Sequence, residues 1–224
     1  MKQYPSISNS SKAPRQNCYS WVKYDGSNLR FFWSKKRGWH KFGTRKQMFD
    51  TTSEVFGPAI PFFLQKYGDE LPKIFKHKDF RGVDSFIVFA EWFGSKSFAG
   101  LHEPNDPKDL ILFDVNPITK GMLGPKQFLD YFGHLPVAEH VYTGNLNEEL
   151  IQNVKASNFE FLDFRSKYNI RTEVPEGIIC KGTQKDKTGN YWMCKIKTDA
   201  YFQELRNRKP QGWEAIIQED FSDS

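Results

Sequence analysis

Several short apolar runs in this 224-residue chain carry charge where a buried strand has no room for it. Glu91 interrupts FIVFAEWFG, and Asp114 interrupts LILFDV. Lys181 closes EGIICK after Glu176 opens it, and Lys195 and Lys197 stand two apart in WMCKIKTD. The runs are short and bounded by Gly, Asp or Pro, the pattern of buried strands. A charge in such a strand is costly unless it is paired or faces a polar cleft. Any one of these residues alone reads as an edge or rim position, the usual place for a charged side chain. Together they call for strands that wall a cleft. Lys195 and Lys197, at i and i+2, project from one face.

A further run, WVKYDGSNLRFFW, places Lys23 at the end of a strand-like segment and Asp25-Gly26 behind it. Asp-Gly between alternating residues is a strong hairpin signal. Strands are expected at Tyr19–Tyr24, Leu29–Ser34 and Gly38–Thr44, joined by DGSN and KKRG turns. A helical region follows over Ser53–His77, broken by Pro58, Pro61 and Pro72. PKQFLDYFG and LNEELIQNVKAS read as helices, the second capped by Asn147. One more helix is expected over Ala200–Arg208. The fold class is therefore α+β, with antiparallel sheets flanked by helices. Residues 1–17 read as a polar, partly flexible lead and 210–224 as a short acidic tail.

Composition narrows the function classes. With 38% hydrophobic and 26% charged residues the chain has the makeup of a globular domain rather than a disordered one. The 21 phenylalanines are mostly core, though rings on a basic protein also offer platforms for bases. A net charge of +5 fits an anionic ligand. The excess is clustered: Lys35, Lys36, Arg37, Lys41, Arg45 and Lys46 fall in one stretch, and KIFKHKDFR adds another. Such runs read equally as solvated faces or as phosphate contacts. Cys18, Cys180 and Cys194 lack metal spacing and fit small buried apolar roles. The five histidines show no ligand spacing either. No signal core or membrane span is present in the sequence, so a reducing, cytoplasmic setting and no membrane partner are expected.

Taken in series, KYDGSN at Lys23–Asn28, FAEWFG around Glu91, LFDV at Leu112–Val115, EGIICK at Glu176–Lys181 and KIK at Lys195–Lys197 resemble the motifs of the covalent nucleotidyltransferase superfamily. That superfamily contains RNA ligases, DNA ligases and capping guanylyltransferases. DNA ligases and capping enzymes usually carry arginine where Asn28 stands, so the chain is most similar to the RNA ligase 2-like, phage and editing type. The tract PVAEHVYTGNLNEELIQNVKASNF resembles the segment between the middle motifs and EGIICK in that family.

The resemblance implies an ATP-grasp-like adenylation domain over 18–209, with ATP and Mg2+ (or Mn2+) as cofactors and RNA ends, nicked or aligned, as partners. Lys23 would be the nucleophile that forms a lysine–AMP bond, assisted by Lys195 and Lys197, which with the metal would also lower its pKa. Glu176 would hold the metal, with Asp114 as a second carboxylate. Glu91 would accept from a ribose hydroxyl and Phe113 would stack on adenine. Asn28, Arg45 and Lys181 would contact the nucleotide, with Arg37 the competitor for the role of Arg45. The family often has an acid before the nucleophile; here Val22 stands there, so main-chain groups would read part of the base. Lys35, Lys36, Arg37 and Lys41 are the candidate RNA contacts. A separate OB or helical domain is not expected within Ala200–Ser224, since folds below ~40 residues usually need disulfides or metal. The alternatives are a DNA ligase, a guanylyltransferase, or a non-catalytic module that binds RNA ends.

Overall fold

The computed structural model describes residues 2–97, 102–160, 176–209 and 212–221. Its strands are β1 (Ser8–Asn9), β2 (Asn17–Lys23), β3 (Gly26–Ser34), β4 (Gly38–Thr44), β5 (Met48–Phe49), β6 (Ser85–Phe93), β7 (Asp109–Pro117), β8 (His140–Asn145), β9 (Gly177–Lys185) and β10 (Tyr191–Lys197). The helices are α1 (Ala59–Tyr67), α2 (Glu70–Phe75), α3 (Pro125–Phe132), α4 (Glu148–Lys155), α5 (Asp199–Arg208) and α6 (Trp213–Phe221). They build an α+β fold with two five-stranded sheets, ordered β1-β10-β9-β2-β8 and β5-β4-β3-β6-β7. All pairings within the two sheets are antiparallel except β1 with β10, which is parallel.

Each sheet buries one face under helices. Phe31 stacks on Phe63 of α1 with ring centroids 3.8 Å apart, and Phe86 stacks on Phe75 of α2 at 3.9 Å. Leu150, Ile151 and Val154 of α4 pack on Cys18, Ile178, Cys180, Cys194 and Ile196 of the other sheet. The three cysteines are free and buried, as small apolar side chains should be. Alternation along β10 sends Cys194 and Ile196 into that core and leaves Met193, Lys195 and Lys197 facing the other way.

Four expectations are revised. The Asp25-Gly26 turn is not a hairpin: β2 pairs with β8 and β9, whereas β3 pairs with β4 and β6. The chain there crosses from one sheet to the other, and Asp25 is buried at the crossing, accepting from Ser97 Oγ at 3.0 Å. The polar lead is part of the fold rather than loose. Ser8–Asn9 pairs with Cys194–Lys195, and Tyr4 is buried against Ile87 and Phe89. Its few apolar residues carried too little periodicity to signal this. Between Ser53 and His77, helix begins only at Ala59, and Pro61 and Pro72 lie in the first turns of α1 and α2, where a missing N–H costs little. Residues 213–221, read as tail, are helical.

The crossing explains Gly26. A Cβ there would stand 2.6 Å from the Trp92 carbonyl oxygen and 2.9 Å from Glu91 Cγ. Gly26→Ala is therefore expected to lower stability by about 1–3 kcal/mol, the range for overpacking. Urea denaturation checks this, and an unchanged midpoint would show that the two sheets have slack at their junction.

Candidate active site

The site is set by one strand register. Lys23 at the end of β2 and Lys197 at the end of β10 are both cross-strand partners of Gly177, the first residue of β9 between them. Gly177 adopts φ +144° and has no space for a Cβ beside the Ile196 carbonyl. Its neighbour Glu176 is thereby brought between the two lysines. Glu176 Oε1 lies 2.7 Å from Lys23 Nζ and 3.2 Å from Lys197 Nζ. Lys197 also lies over the Tyr201 ring, 5.1 Å from its centroid.

The opposing wall comes from the other sheet, where Asn28 of β3 is registered against Glu91 of β6. Asn28 Oδ1 is buried and, among the described residues, has no hydrogen-bond partner, an arrangement that suits a polar ligand between the sheets. A cavity of about 190 Å³ runs inward from Lys23, lined by Val22, Phe113, Ala138, Ile179 and Lys181. It is mostly apolar, with polar groups at its ends, the usual character of a small-molecule site. It continues into an outer cleft of about 590 Å³ that includes Arg45, Glu91, Glu176, Lys195 and Lys197.

The sequence candidates divide clearly. Lys23, Asn28, Arg45, Glu91, Glu176, Lys195 and Lys197 meet in the outer cleft, and Val22, Phe113, Asp114 and Lys181 line the inner cavity. Arg45 opens a tight turn in which Thr44 Oγ1 accepts from Lys46 and Gln47 amides at 3.2 and 3.1 Å. Arg37 lies at the other end of the β3–β4 hairpin, with Lys35 and Lys36. Seven residues of strand, about 23 Å, separate Asn28 from Lys35. Lys35 and Lys36 border a different hollow with Asp84, and Lys41 sits over Phe32, 5.7 Å from the ring centroid. None of these four is brought to the cleft.

Asp114 is committed elsewhere than to a metal. Its Oδ2 lies 2.7 Å from Lys181 Nζ and accepts from Tyr4 OH at 3.1 Å, all three groups being buried. The Val22 amide already donates to the Glu139 carbonyl at 2.9 Å, so that N–H is not available to a base. Tyr4 is a residue the sequence did not single out. It meets Phe113 edge-on at 5.1 Å and lines both cavities. A lone tyrosine between a polar start and Pro5 carries no motif.

The charges reverse one expectation. Burial pushes the Lys23 pKa down, but Glu176, then Glu91 and Asp25, outweigh it and hold the ammonium above its ordinary value. Carboxylates, rather than Lys195 and Lys197, dominate the environment of the lysine. Burial also raises Asp25, with Glu176 adding to the shift, and pushes Glu91 up to about 8. A set of acids that resists ionising favours an added cation. Among the described residues no group of three or more His, Cys, Asp or Glu is poised to hold a metal by itself. The donor set fits a magnesium or manganese ion held by one carboxylate together with phosphate oxygens and water.

Residues 19–197 match the family model described as RNA ligase. The chain belongs to the RNA ligase family. No curated protein sequence matches it. The fold of this RNA ligase family member is similar to that of an RNA ligase from Naegleria gruberi. A glutamate-to-alanine mutant of that enzyme with AMP and Mn superposes with TM-score 0.60 and 15% identity, over 93% of this chain and 59% of that one. A lysine-to-alanine mutant with ATP and Mn gives 0.58 and 15%, over 93% and 59%. The same ligase with PPi gives 0.58 and 16%, over 93% and 59%. The chain thus spans less than two thirds of the length of these structures. Among the described residues no helix is long and apolar enough to cross a membrane.

Glu91 supplies a pH test. Its folded pKa is raised, so between about 4.5 and about 8 the folded state holds a proton the unfolded chain has released. Stability must then fall as pH rises through that window. Wild type is expected to lose stability relative to Glu91→Gln from pH 5 to pH 8 and to run parallel above it. Urea denaturation of both proteins across the range checks this, and a constant difference would mean that Glu91 titrates normally.

Proposed function

We propose that this chain is the adenylation unit of an ATP-dependent RNA ligase of the RNA ligase 2-like type, joining 3′-hydroxyl and 5′-phosphate ends through a lysine–AMP intermediate. The observation that carries the proposal is the placement of Lys23 at the mouth of the inner cavity, in contact with Glu176 and beside Lys197. The Naegleria structures with AMP, ATP and PPi support a nucleotide in the corresponding fold.

The adenine enters the inner cavity, where Phe113 offers its ring and Lys181, Asp114 and Tyr4 bound the polar end. Glu91 and Asn28 face the ribose and α-phosphate. Arg45, Lys195 and Lys197 line the outer cleft and offset the charge of the triphosphate, the main demand of nucleotidyl transfer. Lys23 gives up a proton to water and its Nζ attacks the α-phosphorus; an N–P bond forms as the bond to pyrophosphate breaks. Magnesium or manganese at Glu176, when bound, supplies positive charge to the phosphates and removes the carboxylate's upward pull on the lysine pKa. An oxygen of the RNA 5′-phosphate then attacks the same phosphorus, and Lys23 leaves and recovers a proton. Finally the 3′-hydroxyl attacks the RNA phosphate and AMP departs.

The resting contact between Lys23 and Glu176 keeps the nucleophile protonated until ligands arrive, since an ammonium has no lone pair to donate. Incubation with labelled ATP and magnesium should therefore transfer label to the protein, and Lys23→Ala should abolish it without unfolding. Glu176→Ala and Lys197→Ala should reduce it by about 100-fold or more, as for loss of a group that meets developing charge. Arg45→Ala should impair labelling while Arg37→Ala leaves it intact. Full labelling of Lys23→Ala would overturn the assignment, and labelling by GTP alone would favour a guanylyltransferase.

A further inference from the structure

A second cavity, of about 380 Å³, opens beyond Lys195 and Lys197 at the β1 edge of the first sheet. Its wall on one side is a single face of α5: Asp199, Phe202, Gln203 and Arg206 fall at i, i+3, i+4 and i+7. Lys155, at the end of α4, and Ser11, just after β1, complete it. Four cations, Lys155, Lys195, Lys197 and Arg206, face one acid, Asp199. Among the described residues neither Lys155 nor Arg206 is held in a salt bridge. Lys197 is shared with Glu176, so the positive charge open to a ligand is that of Lys155 and Arg206. Charge of one sign brought together from α4 and α5 on a concave surface favours an anionic ligand.

The cavity is continuous with the outer cleft, because Lys195 and Lys197 border both. Asp199 to Arg206 spans about 10 Å along α5, long enough for Lys155 and Arg206 each to meet a backbone phosphate. The basic hairpin tip lies about 23 Å along the strand from Asn28. This groove begins at the reacting groups themselves. Both RNA ends carry phosphodiesters, but only the end that must be brought to the lysine adds a terminal 5′-phosphate, the more highly charged group. We propose that the groove holds the phosphodiester backbone of the RNA strand that presents its 5′-phosphate, next to the reacting end. The proposal rests on the ligase reading for the identity of that end.

The test uses the full chain with Lys155 and Arg206 both changed to alanine. Neither residue belongs to the nucleotide site, so lysine–AMP labelling by ATP should be unchanged and reports that the fold is intact. Binding of a short, dye-labelled 5′-phosphorylated RNA is measured by anisotropy across a salt series. Affinity is expected to fall several-fold, and the slope of log affinity against log salt to become shallower by about 1.4, or ~0.7 for each lost phosphate contact on a single strand. The loss should be smaller for the same RNA with a 5′-hydroxyl, which has no terminal phosphate to seat it. Unchanged affinity and slope with labelling intact would overturn the groove, and an equal loss for both RNAs would overturn its assignment to the 5′-phosphate strand. If the double variant fails to label, Arg206→Glu alone, on an exposed helix face, carries the same comparison. Wild type that forms no adduct, yet loses RNA affinity in the variant, would overturn the ligase reading and support the groove.

Discussion

The contact of Glu176 with Lys23 and Lys197 is the interaction on which the rest of the site depends. It joins the ends of β2 and β10 through β9, and both lysines share Gly177 as cross-strand partner. Buried charges of this kind are expensive to assemble, and removing one partner leaves the others uncompensated. Here the cost is met by a cluster in which two ammonium groups attend one carboxylate, with Glu91 and Asp25 near enough to act on Lys23. The same cluster defines where a phosphate and a cation would exchange places with the resting contacts.

A second polar group, Tyr4–Asp114–Lys181, plays a comparable part at the inner end of the cavity. Its carboxylate is drawn on by a lysine and a phenol, so it fixes the Lys181 ammonium where a ligand enters. The two clusters lie at opposite ends of a largely apolar cavity. Tyr4 joins the chain start to this arrangement, and its ring buttresses Phe113 from the edge.

Much of this was legible in the sequence, for a definite reason. Charges at Glu91, Glu176, Lys181, Lys195 and Lys197 break apolar strand patterns, and period-2 alternation says which of them share a face. The fold class and most strands follow from the same patterns. The Asp25-Gly26 crossing was not legible, because local turn chemistry cannot report which sheet the next strand joins. The place of Asp114 was hidden for a related reason: its partners Tyr4 and Lys181 are far from it in sequence. Arg45 and Arg37 could be separated only by the direction of the hairpin, which puts one at the cleft and the other at the tip. The polar lead misled because a two-residue strand and a single tyrosine leave no period to detect.

The parallel pairing of Ser8–Asn9 with Cys194–Lys195 bears on how the protein is made. On the ribosome the first of these segments emerges long before the second, and non-local pairing of this kind forms slowly. The sheet built from β3, β4, β6 and β7 can assemble from neighbouring stretches of chain, and so can its helices. The lysine-bearing sheet cannot be finished until β10 has left the exit tunnel. Until β9 and β10 emerge, a nascent chain therefore carries an unpaired strand edge exposed to wrong partners. The contact of Lys23, Glu176 and Lys197, made by three strands far apart in sequence, forms only after that.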